Sequence, residues 1–480
     1  MIFVAELLNH GADPNICGGE YGTALIVASY QGHVENVKEL LAKGADINAQ
    51  GGTYGTALQA ASFGGHIEVI QLLLEKGVDV NVQGGLYGTA LQAASRWGHI
   101  QVIQLLVEMG ADVNAQGGTY GTALQAASFG GHIEVIQLLL EKGVDVNVQG
   151  RAYGTALYAA SSGGHIAVIQ LLVKKGADVN ARGGAYGTAL QAVSSWGYIE
   201  VIQLFFEKGA DANAHGGHYG TALQAASFGG HTKVVQLLVE KGADINAQGG
   251  TYKTALQAAS YGGHIKVIQL LIEKGADINA QDGFYGTALQ AASSGGHIEV
   301  IQLLVEKGAD INAQGDCYGT ALQAPSYWGH IEVIQLLVEK GADVNAQGGT
   351  YGTALQAASR WGHIQVIQLL VEMGADVNAR GGTYGTALQA ASFGGHIEVI
   401  QLLLEKGVDV NVQGRAYGTA LYAASSGGHI EVIQLLVKKG ADVNARGGAY
   451  GTALQAVSSW GYIEVIQLLV EKGAGVKAKD

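Results

Sequence analysis

Histidine recurs in this 480-residue chain at a spacing that could line up several imidazoles for metal binding. Twelve of its fifteen histidines, from His33 to His429, hold one position of a 33-residue period. A structural zinc ion needs four ligands around one point, whereas a row of units brings at most two neighbours together. Tyr198 and Tyr462 also fill this position in two periods. We therefore expect a structural role, with no metal and no other cofactor.

A Gly-Gly-x-Tyr-Gly-Thr loop recurs as well, and glycine-rich loops can cradle phosphate. No Gly-Lys-Ser/Thr follows any copy, and the nearest case, Lys253-Thr254, follows Tyr252 and lacks the loop spacing. Serines equivalent to Ser62 recur in every unit without a distinctive basic neighbour. The loops are expected to be hairpin turns, and the chain is expected not to be an enzyme.

The period itself determines the architecture. A Thr-Ala-Leu tripeptide begins at Thr23 and returns every 33 residues as far as Thr452, which makes fourteen copies without an insertion. A tyrosine stands two positions before each of these threonines, from Tyr21 to Tyr450. Its presence in every unit indicates packing rather than binding.

Each unit is expected to form two helices. Thr56 followed three residues later by Gln59 is a capping-box pattern that starts the first helix, and Gly64-Gly65 ends it. The second helix is expected from about residue 66 to 76, with Gly77 as its left-handed cap. Its predicted buried face comprises Ile67, Val69, Ile70, Leu72, Leu73 and Leu74, opposite a solvated face of Glu68, Gln71 and Glu75.

The glycine-rich remainder of each unit suits a protruding hairpin. One helix pair cannot bury both of its apolar faces, but stacked pairs can, so the sequence predicts an all-α repeat solenoid. Residues 1–20 match the second half of a unit, and residues 21–480 are expected to be fourteen repeats in one continuous, superhelical stack.

These units resemble the ankyrin repeat. The resemblance rests on the period, the Thr-x-Leu opening, the Gly-His before the second helix, and an ending that includes Gly242, Ala243, Asp244 and Asn246. Thr-Ala-Leu-Gln stands where the family usually has Thr-Pro-Leu-His, and a tyrosine replaces a hairpin glycine, so the hairpin turn is expected to be rearranged. This variant resembles arrays of filamentous fungi, which often follow a NACHT module in receptor-like proteins.

The composition of the chain limits the classes of partner that it is expected to bind. The formal net charge of −13 argues against nucleic acid, which requires a basic surface. No apolar run approaches the length of a membrane span, and the N-terminus lacks the positive region of a signal peptide. Cys17 and Cys317 lie about nine repeats apart and are expected to stay unpaired. We expect an intracellular protein of the cytoplasm, present as a monomeric array or as part of a longer chain.

Some units are irregular. Residues 87–210 return at 351–474 with four differences, which indicates a recent block duplication. Pro325 falls inside a first helix and is expected to kink or fray it. The incomplete leading unit suggests that the natural protein extends upstream or that the chain is a fragment. Gly475 and Lys477 replace Asp and Asn of other units, which suggests an end of the array.

The units differ most at two places. One precedes the tyrosine and holds residues such as Glu20, Thr53, Leu86, His218, Phe284 and Cys317. The other follows Ala-Ala-Ser and contains all five tryptophans. In the ankyrin family these places line a concave groove that binds partners. The predicted partner-binding residues are Tyr30, Phe63, Arg96, Trp97, Phe129, Trp196, Phe228, Tyr261, Phe284, Tyr327, Trp328, Arg360, Trp361, Phe393 and Trp460.

Two functions remain open. The first is a scaffold that binds partner proteins through this groove, with the sensing region of a fungal receptor-like protein as its specific form. The second is a structural spacer or elastic solenoid without a dedicated ligand. Neutral drift would also vary exposed positions, and Trp97/Trp361 and Trp196/Trp460 are copies, so the tryptophans are not independent support.

Overall fold

The computed structural model describes residues 2–150, 153–183, 187–315, 317–414 and 416–475. The chain divides into two compact units, Met1–Asp244 and Ile245–Asp480. From here on, "unit" means one of these two halves, and each period of the sequence is called a repeat. Within the described residues there are twenty-nine helices of six to nine residues, arranged as helix-turn-helix pairs with short hairpins. The fold is therefore the all-α repeat solenoid that the sequence predicts. Lys477, which the sequence placed at the end of the array, lies outside the described residues.

The first unit begins with an unpaired helix and continues with seven pairs, in the order α1 (Ile2–Asn9), α2 (Ala24–Tyr30), α3 (Val34–Ala42), α4 (Ala57–Gly64), α5 (Ile67–Glu75), α6 (Ala90–Trp97), α7 (Ile100–Glu108), α8 (Ala123–Gly130), α9 (Ile133–Glu141), α10 (Ala156–Gly163), α11 (Ile166–Lys174), α12 (Ala189–Trp196), α13 (Ile199–Glu207), α14 (Ala222–Phe228) and α15 (Thr232–Glu240). Between α11 and α12 lie the two-residue strands β1 (Arg182–Gly183) and β2 (Gly187–Thr188), which pair antiparallel.

The second unit consists of seven pairs, in the order α16 (Ala255–Gly262), α17 (Ile265–Glu273), α18 (Ala288–Gly295), α19 (Ile298–Glu306), α20 (Gln323–Trp328), α21 (Ile331–Glu339), α22 (Ala354–Trp361), α23 (Ile364–Glu372), α24 (Ala387–Gly394), α25 (Ile397–Glu405), α26 (Ala420–Gly427), α27 (Ile430–Lys438), α28 (Ala453–Trp460) and α29 (Ile463–Glu471). In both units the first helices of successive pairs pack directly against one another, and the second helices meet less closely.

The predicted capping box starts most first helices. At α6 the Thr89 hydroxyl accepts from the Gln92 backbone N–H at 3.3 Å, and the Gln92 side-chain oxygen accepts from the Thr89 N–H at 2.6 Å. The same reciprocal arrangement is present at ten of the described first helices. Tyr158 and Tyr422 replace the glutamine in α10 and α26, where the threonine hydroxyl alone caps the helix.

The capping glutamine also joins neighbouring repeats. The Gln92 side-chain amide donates to the carbonyl oxygens of Ala115 at 2.9 Å and Gly121 at 2.8 Å, both in the following hairpin. Gln92 is buried, so these bonds satisfy every polar atom of a side chain that solvent cannot reach. One residue thus fixes the start of its own helix and the position of the next repeat.

Fewer residues of the second helix are fully buried in the core than the sequence predicted. Val69, Ile70 and Leu73 are fully buried in α5, together with the small residues Ala60 and Ala61 of α4. The other predicted members of the buried face, Ile67, Leu72 and Leu74, are only half-buried. The looser contact between second helices explains the difference, because it leaves the flanks of the apolar stripe open to solvent.

The hairpins are minimal and are linked by asparagine. Gly84 and Gly88 form an isolated antiparallel bridge, and equivalent bridges recur in both units. Asn81 donates to the Gly110 carbonyl at 3.1 Å and accepts from the Asp112 N–H at 2.7 Å, which ties one hairpin base to the next. The hairpin turn of this chain is thus a tight glycine bridge.

Pro325 moves the start of its helix. The helix α20 has six residues instead of the usual eight, because it begins at Gln323 and residues 321–322 form a turn. Pro325 thereby falls in the first turn of the helix, where a backbone N–H has no intrahelical partner. Because proline lacks only this unbonded N–H there, the missing donor hardly changes the stability of the helix. The expected fraying is therefore present, but it is confined to the helix start. Gln323 still donates to the Ala346 and Gly352 carbonyls.

Replacing this proline is expected to restore the missing turn. In Pro325→Ala, helix α20 should begin after Thr320, as in the other repeats, and the free energy of unfolding of the second unit should rise by about 1–3 kcal/mol. Urea unfolding measures the gain. Amide hydrogen exchange at Leu322 and Gln323 should slow while exchange in α24 stays constant; equal exchange before and after the substitution would contradict local weakening.

No helix among the described residues is both long and apolar enough to cross a membrane. Cys17 and Cys317 lie in different units and are free thiols, as the sequence predicts.

Candidate functional site

The repeated tyrosines form a stack in each unit. In the first unit the ring centroids of Tyr21, Tyr54, Tyr87 and Tyr120 follow one another at 6.3 Å with nearly parallel planes. In the second unit Tyr351 and Tyr384 repeat this arrangement at 6.3 Å. Offset stacking of this kind stabilises neighbouring repeats. The packing role expected for the tyrosines agrees with this geometry; Tyr186 lies outside the described residues.

The ends of the first helices pack onto this stack. Tyr30 stacks on Tyr54 at 4.6 Å, and the Phe63 ring meets Tyr87 at 4.9 Å and Trp97 at 5.0 Å, both edge to face. We call the resulting surface of each unit its aromatic face. Its predicted members are Tyr30, Phe63, Arg96, Trp97 and Phe129 in the first unit, and Tyr261, Phe284, Tyr327, Trp328, Arg360, Trp361 and Phe393 in the second.

The predicted residues divide into two classes by exposure. All five tryptophans and Phe284 are exposed, from 43% at Trp361 to 59% at Trp460. The remaining residues are half-buried, because neighbouring rings cover them: Tyr30, Phe63, Arg96, Phe129, Phe228, Tyr261, Tyr327, Arg360 and Phe393. The half-buried group is a packed platform, and the exposed rings are the part that a partner could contact.

Two predicted residues, Trp196 and Trp460, stand apart from these clusters. Within the part of the chain that the structure describes, no aromatic ring lies against Trp196 or Trp460. Phe228 packs against Tyr219, with 5.9 Å between the ring centroids. Sequence equivalence alone grouped these two tryptophans with the others, and their surroundings differ because the neighbouring repeats carry different residues at the variable positions.

Each aromatic face contains one arginine among its rings. The Arg96 guanidinium carbon lies 5.0 Å from the Trp97 ring centroid, 5.5 Å from that of Tyr120 and 4.9 Å from that of Phe129. Its Nε donates to the Tyr120 hydroxyl at 3.0 Å. These cation–π contacts hold the guanidinium at the end of α6, where a positive charge also interacts favourably with the helix dipole.

The recurring histidines position the ends of the first helices. His132 Nε2 lies 3.0 Å from the Arg96 carbonyl oxygen, and the same contact joins His66 to Tyr30 and His99 to Phe63. A carbonyl only accepts, so Nε2 carries the proton and donates. The structural role expected for histidine is confirmed, but its side chain does not cap its own helix. It bonds to the preceding repeat instead.

Burial lowers the pKa of three of these histidines, His132, His330 and His396, below the usual value of 6.5. The unfolded chain therefore binds more protons than the folded chain once the pH drops through 6.5. Stability gained from neutral histidine is complete above that pH and is lost as the pH falls towards the folded-state pKa. We expect the free energy of unfolding to decrease between pH 7.5 and pH 5.5, values chosen about one unit either side of 6.5.

Urea unfolding at the two pH values measures this decrease. His132→Gln keeps an amide donor near the Arg96 carbonyl but removes the titrating group, so the pH dependence should become smaller. A stability that is constant over this range, or that increases on acidification, would contradict the assignment.

Three of the repeated tyrosines, Tyr87, Tyr351 and Tyr417, stay protonated near neutral pH. Burial raises the pKa of Tyr87 and Tyr417 above the usual value of 10.0 and raises the pKa of Tyr351 to about 12. Their hydroxyls therefore remain available as hydrogen-bond donors. In the described residues there is no group of three His, Cys, Asp or Glu side chains that could hold a metal ion.

Sequence reasoning did not identify Tyr120 and Tyr384 as partners of the arginines, nor the histidine bonds to the helix ends. A signal was present in the spacing. Each histidine follows its acceptor by 36 residues, and each tyrosine follows its arginine by 24 residues. These offsets exceed a single helix pair, so they report contacts between neighbouring repeats.

Comparison with known proteins agrees with this architecture. The family model described as "Ankyrin repeats (3 copies)" matches residues 50–117, 116–183, 189–282, 255–348, 346–414 and 389–480, and a model described as "Ankyrin repeats (many copies)" matches residues 25–74. No curated protein matches the chain. Among solved structures, the crystal structure of the human ASB11 ankyrin repeat domain is 27% identical, covers 46% of this chain and 99% of its own, and has a TM-score of 0.40. Because the family models match most of its length, the chain belongs to the ankyrin repeat family.

Proposed function

We propose that this chain is a non-catalytic interaction scaffold that binds partner proteins through the aromatic faces. The observation that carries the proposal is the set of exposed tryptophans beside packed, half-buried rings. Trp97 and Trp361 are 45% and 43% exposed, and each rests against another ring. Tryptophan and arginine dominate binding hot spots, and a pre-packed side chain loses little entropy when a partner binds.

The alternative, a spacer without a ligand, predicts equal residues at equivalent positions. In the second unit, however, α18 ends in Ser294-Gly295 while α20 ends in Tyr327-Trp328. Trp328 is 53% exposed, although solvent exposure of so large a ring contributes nothing to the stability of a spacer. The uneven placement of exposed tryptophan therefore favours recognition.

Substitution of the tryptophans tests the proposal. A partner is first identified by a crosslinking pull-down, and its affinity is measured with Trp328→Ala, Trp361→Ala and the double variant. Each single change should weaken binding by about tenfold or more. The matched control is Met109→Ala, which removes an apolar side chain of 51% exposure at the end of a second helix. Unchanged affinity in the double variant, with circular dichroism still that of the folded protein, would refute the role of this surface.

We further propose that the chain is the sensing region of a larger fungal receptor-like protein that acts inside the cell. The support is the resemblance of the Tyr-Gly-Thr-Ala-Leu-Gln repeat to fungal arrays. An accessory module that delivers substrates to an enzyme domain of the same protein is compatible with this context. The genomic sequence upstream of Met1 tests it: a NACHT-like reading frame is the expected result, and an in-frame stop close upstream would exclude the receptor context.

A further inference from the structure

Among the described residues, the two arginines of the aromatic faces have no carboxylate partner. Among the described residues the ion pairs are Lys38–Glu35 and Lys253–Asp282, and neither includes Arg96 or Arg360. This is unexpected in a chain with a formal net charge of −13, where acidic side chains outnumber basic ones. An unpaired guanidinium on an otherwise neutral aromatic surface is a site of positive potential.

Most donors of these guanidinium groups are also unused. Arginine has five N–H donors, and in Arg96 the Nε donor is bonded to the Tyr120 hydroxyl. The four N–H groups of the two terminal nitrogens have no acceptor among the described residues. The rings of Trp97, Tyr120 and Phe129 restrain the guanidinium, so its free donors form a pre-organised fork. A fork of this kind matches a planar carboxylate with two parallel hydrogen bonds.

The chemistry of the surroundings favours a carboxylate over a phosphate. Each cluster holds a single cation, which balances the one negative charge of a carboxylate. A phosphate group carries nearly two charges and is usually bound by several basic groups. The exposed face of Trp97 beside the fork provides apolar contact for a residue next to the acidic one.

The same geometry recurs in the second unit. The Arg360 guanidinium carbon lies 5.0, 5.5 and 4.9 Å from the rings of Trp361, Tyr384 and Phe393, and its Nε donates to the Tyr384 hydroxyl at 3.0 Å. Each cluster lies wholly within one unit, so each can act without the other. The duplication therefore reproduced a complete site.

We propose that Arg96–Trp97 and Arg360–Trp361 are two equivalent sites for a peptide segment in which an acidic residue neighbours an apolar one. One chain then binds two copies of the same motif, either on two partner molecules or within one partner that repeats it. This inference rests on the proposed function, because it specifies the ligand of the aromatic faces. A partner with two such motifs would gain avidity without any new contact.

The experiment uses the full chain labelled with 5-fluorotryptophan, whose five fluorine resonances are assigned by single Trp→Phe substitutions. The probes are blocked peptides, acetyl-Gly-X-Glu-Z-Gly-amide, with X and Z drawn from Leu, Phe, Tyr and Pro. At least one probe should shift the resonances of Trp97 and Trp361 in parallel, with dissociation constants within about twofold of each other, and leave Trp196 unmoved. Arg96→Gln should abolish the response of Trp97 alone, and Arg360→Gln that of Trp361 alone.

Matched probes test the chemistry. Replacing Glu by Gln in the peptide should weaken binding by about tenfold, and Arg96→Lys, which keeps the charge but loses the fork, should weaken it partially. If no probe shifts either tryptophan up to about 1 mM, if the Gln peptide binds equally, or if a phosphoserine peptide binds more tightly than Glu, the proposal is wrong. Loss of partner binding in Trp328→Ala together with silent peptide probes would overturn only this inference and leave the proposed function standing.

Discussion

Gln92→Ala is expected to lower the free energy of unfolding of the first unit by about 3 kcal/mol. The substitution leaves two backbone groups without their partner, the Thr89 N–H and the Ala115 carbonyl. It also removes one of the two hydrogen bonds to the Gly121 carbonyl, which still accepts from the Gly117 N–H. A buried polar group without a hydrogen bond costs about 1–3 kcal/mol, and solvent has little access to this position. The effect is large because one side chain holds both a helix cap and the contact to the next repeat.

The control for this prediction lies in the same repeat. Gln104 is an exposed glutamine of α7, and Gln104→Ala should change the free energy of unfolding by no more than about 0.5 kcal/mol. Urea unfolding followed by circular dichroism measures both variants, and hydrogen exchange in α6 and α8 locates the loss. Equal stability of the two variants would show that the hydrogen bonds to Ala115 and Gly121 do not couple the repeats.

The helices could be predicted because their signals are local. A threonine with a glutamine three residues later starts α4, and glycine in the left-handed conformation at Gly65 ends it. Both signals act within one turn of a helix, so a single repeat contains all the information needed. The disturbance of α20 was also predictable, because Pro325 has no N–H to donate the hydrogen bond that an interior helical position requires.

Contacts between repeats could not be predicted from the same signals. Nothing in one repeat shows that Gln92 reaches Gly121 or that His132 reaches the Arg96 carbonyl. Both bonds depend on the displacement from one helix pair to the next, which follows from side-chain packing along the whole interface. The half-burial of Leu72 has the same origin, because a helical pattern gives the direction of a side chain but not the closeness of its neighbour.

The candidate site was predictable as a set of positions but not as a set of contacts. Variation between repeats identified Arg96 and Trp97, whereas the invariance of Tyr120 indicated only packing. The structure joins the two kinds of residue, because the constant tyrosine holds the variable arginine. A residue that is the same in every repeat can therefore still determine how a variable neighbour is presented.

Gly98→Ala is expected to lower the free energy of unfolding by about 3 kcal/mol, whereas Gly110→Ala should lower it by about 1 kcal/mol. Both glycines are in the left-handed conformation, with φ of 75° and 88°, so any Cβ adds about 1 kcal/mol of strain at either position. They differ in their surroundings. A Cβ at Gly98 would clash with Nδ1 of His132, while a Cβ at Gly110 would meet nothing within 4 Å. Overpacking at a contact of this kind adds about 1–3 kcal/mol.

A double variant separates the two causes. His132→Ala removes the ring that the new methyl group would meet, so Gly98→Ala should cost only about 1 kcal/mol in that background, as Gly110→Ala does. Urea unfolding of the four variants completes the cycle. In Gly98→Ala alone the displaced ring would also lose its hydrogen bond to the Arg96 carbonyl, so the fluorine resonance of Trp97 should shift. If Gly98→Ala lowers the free energy of unfolding by as much in the His132→Ala background as it does alone, backbone conformation by itself requires glycine at this position. The contact with His132 of the next repeat would then not be the reason.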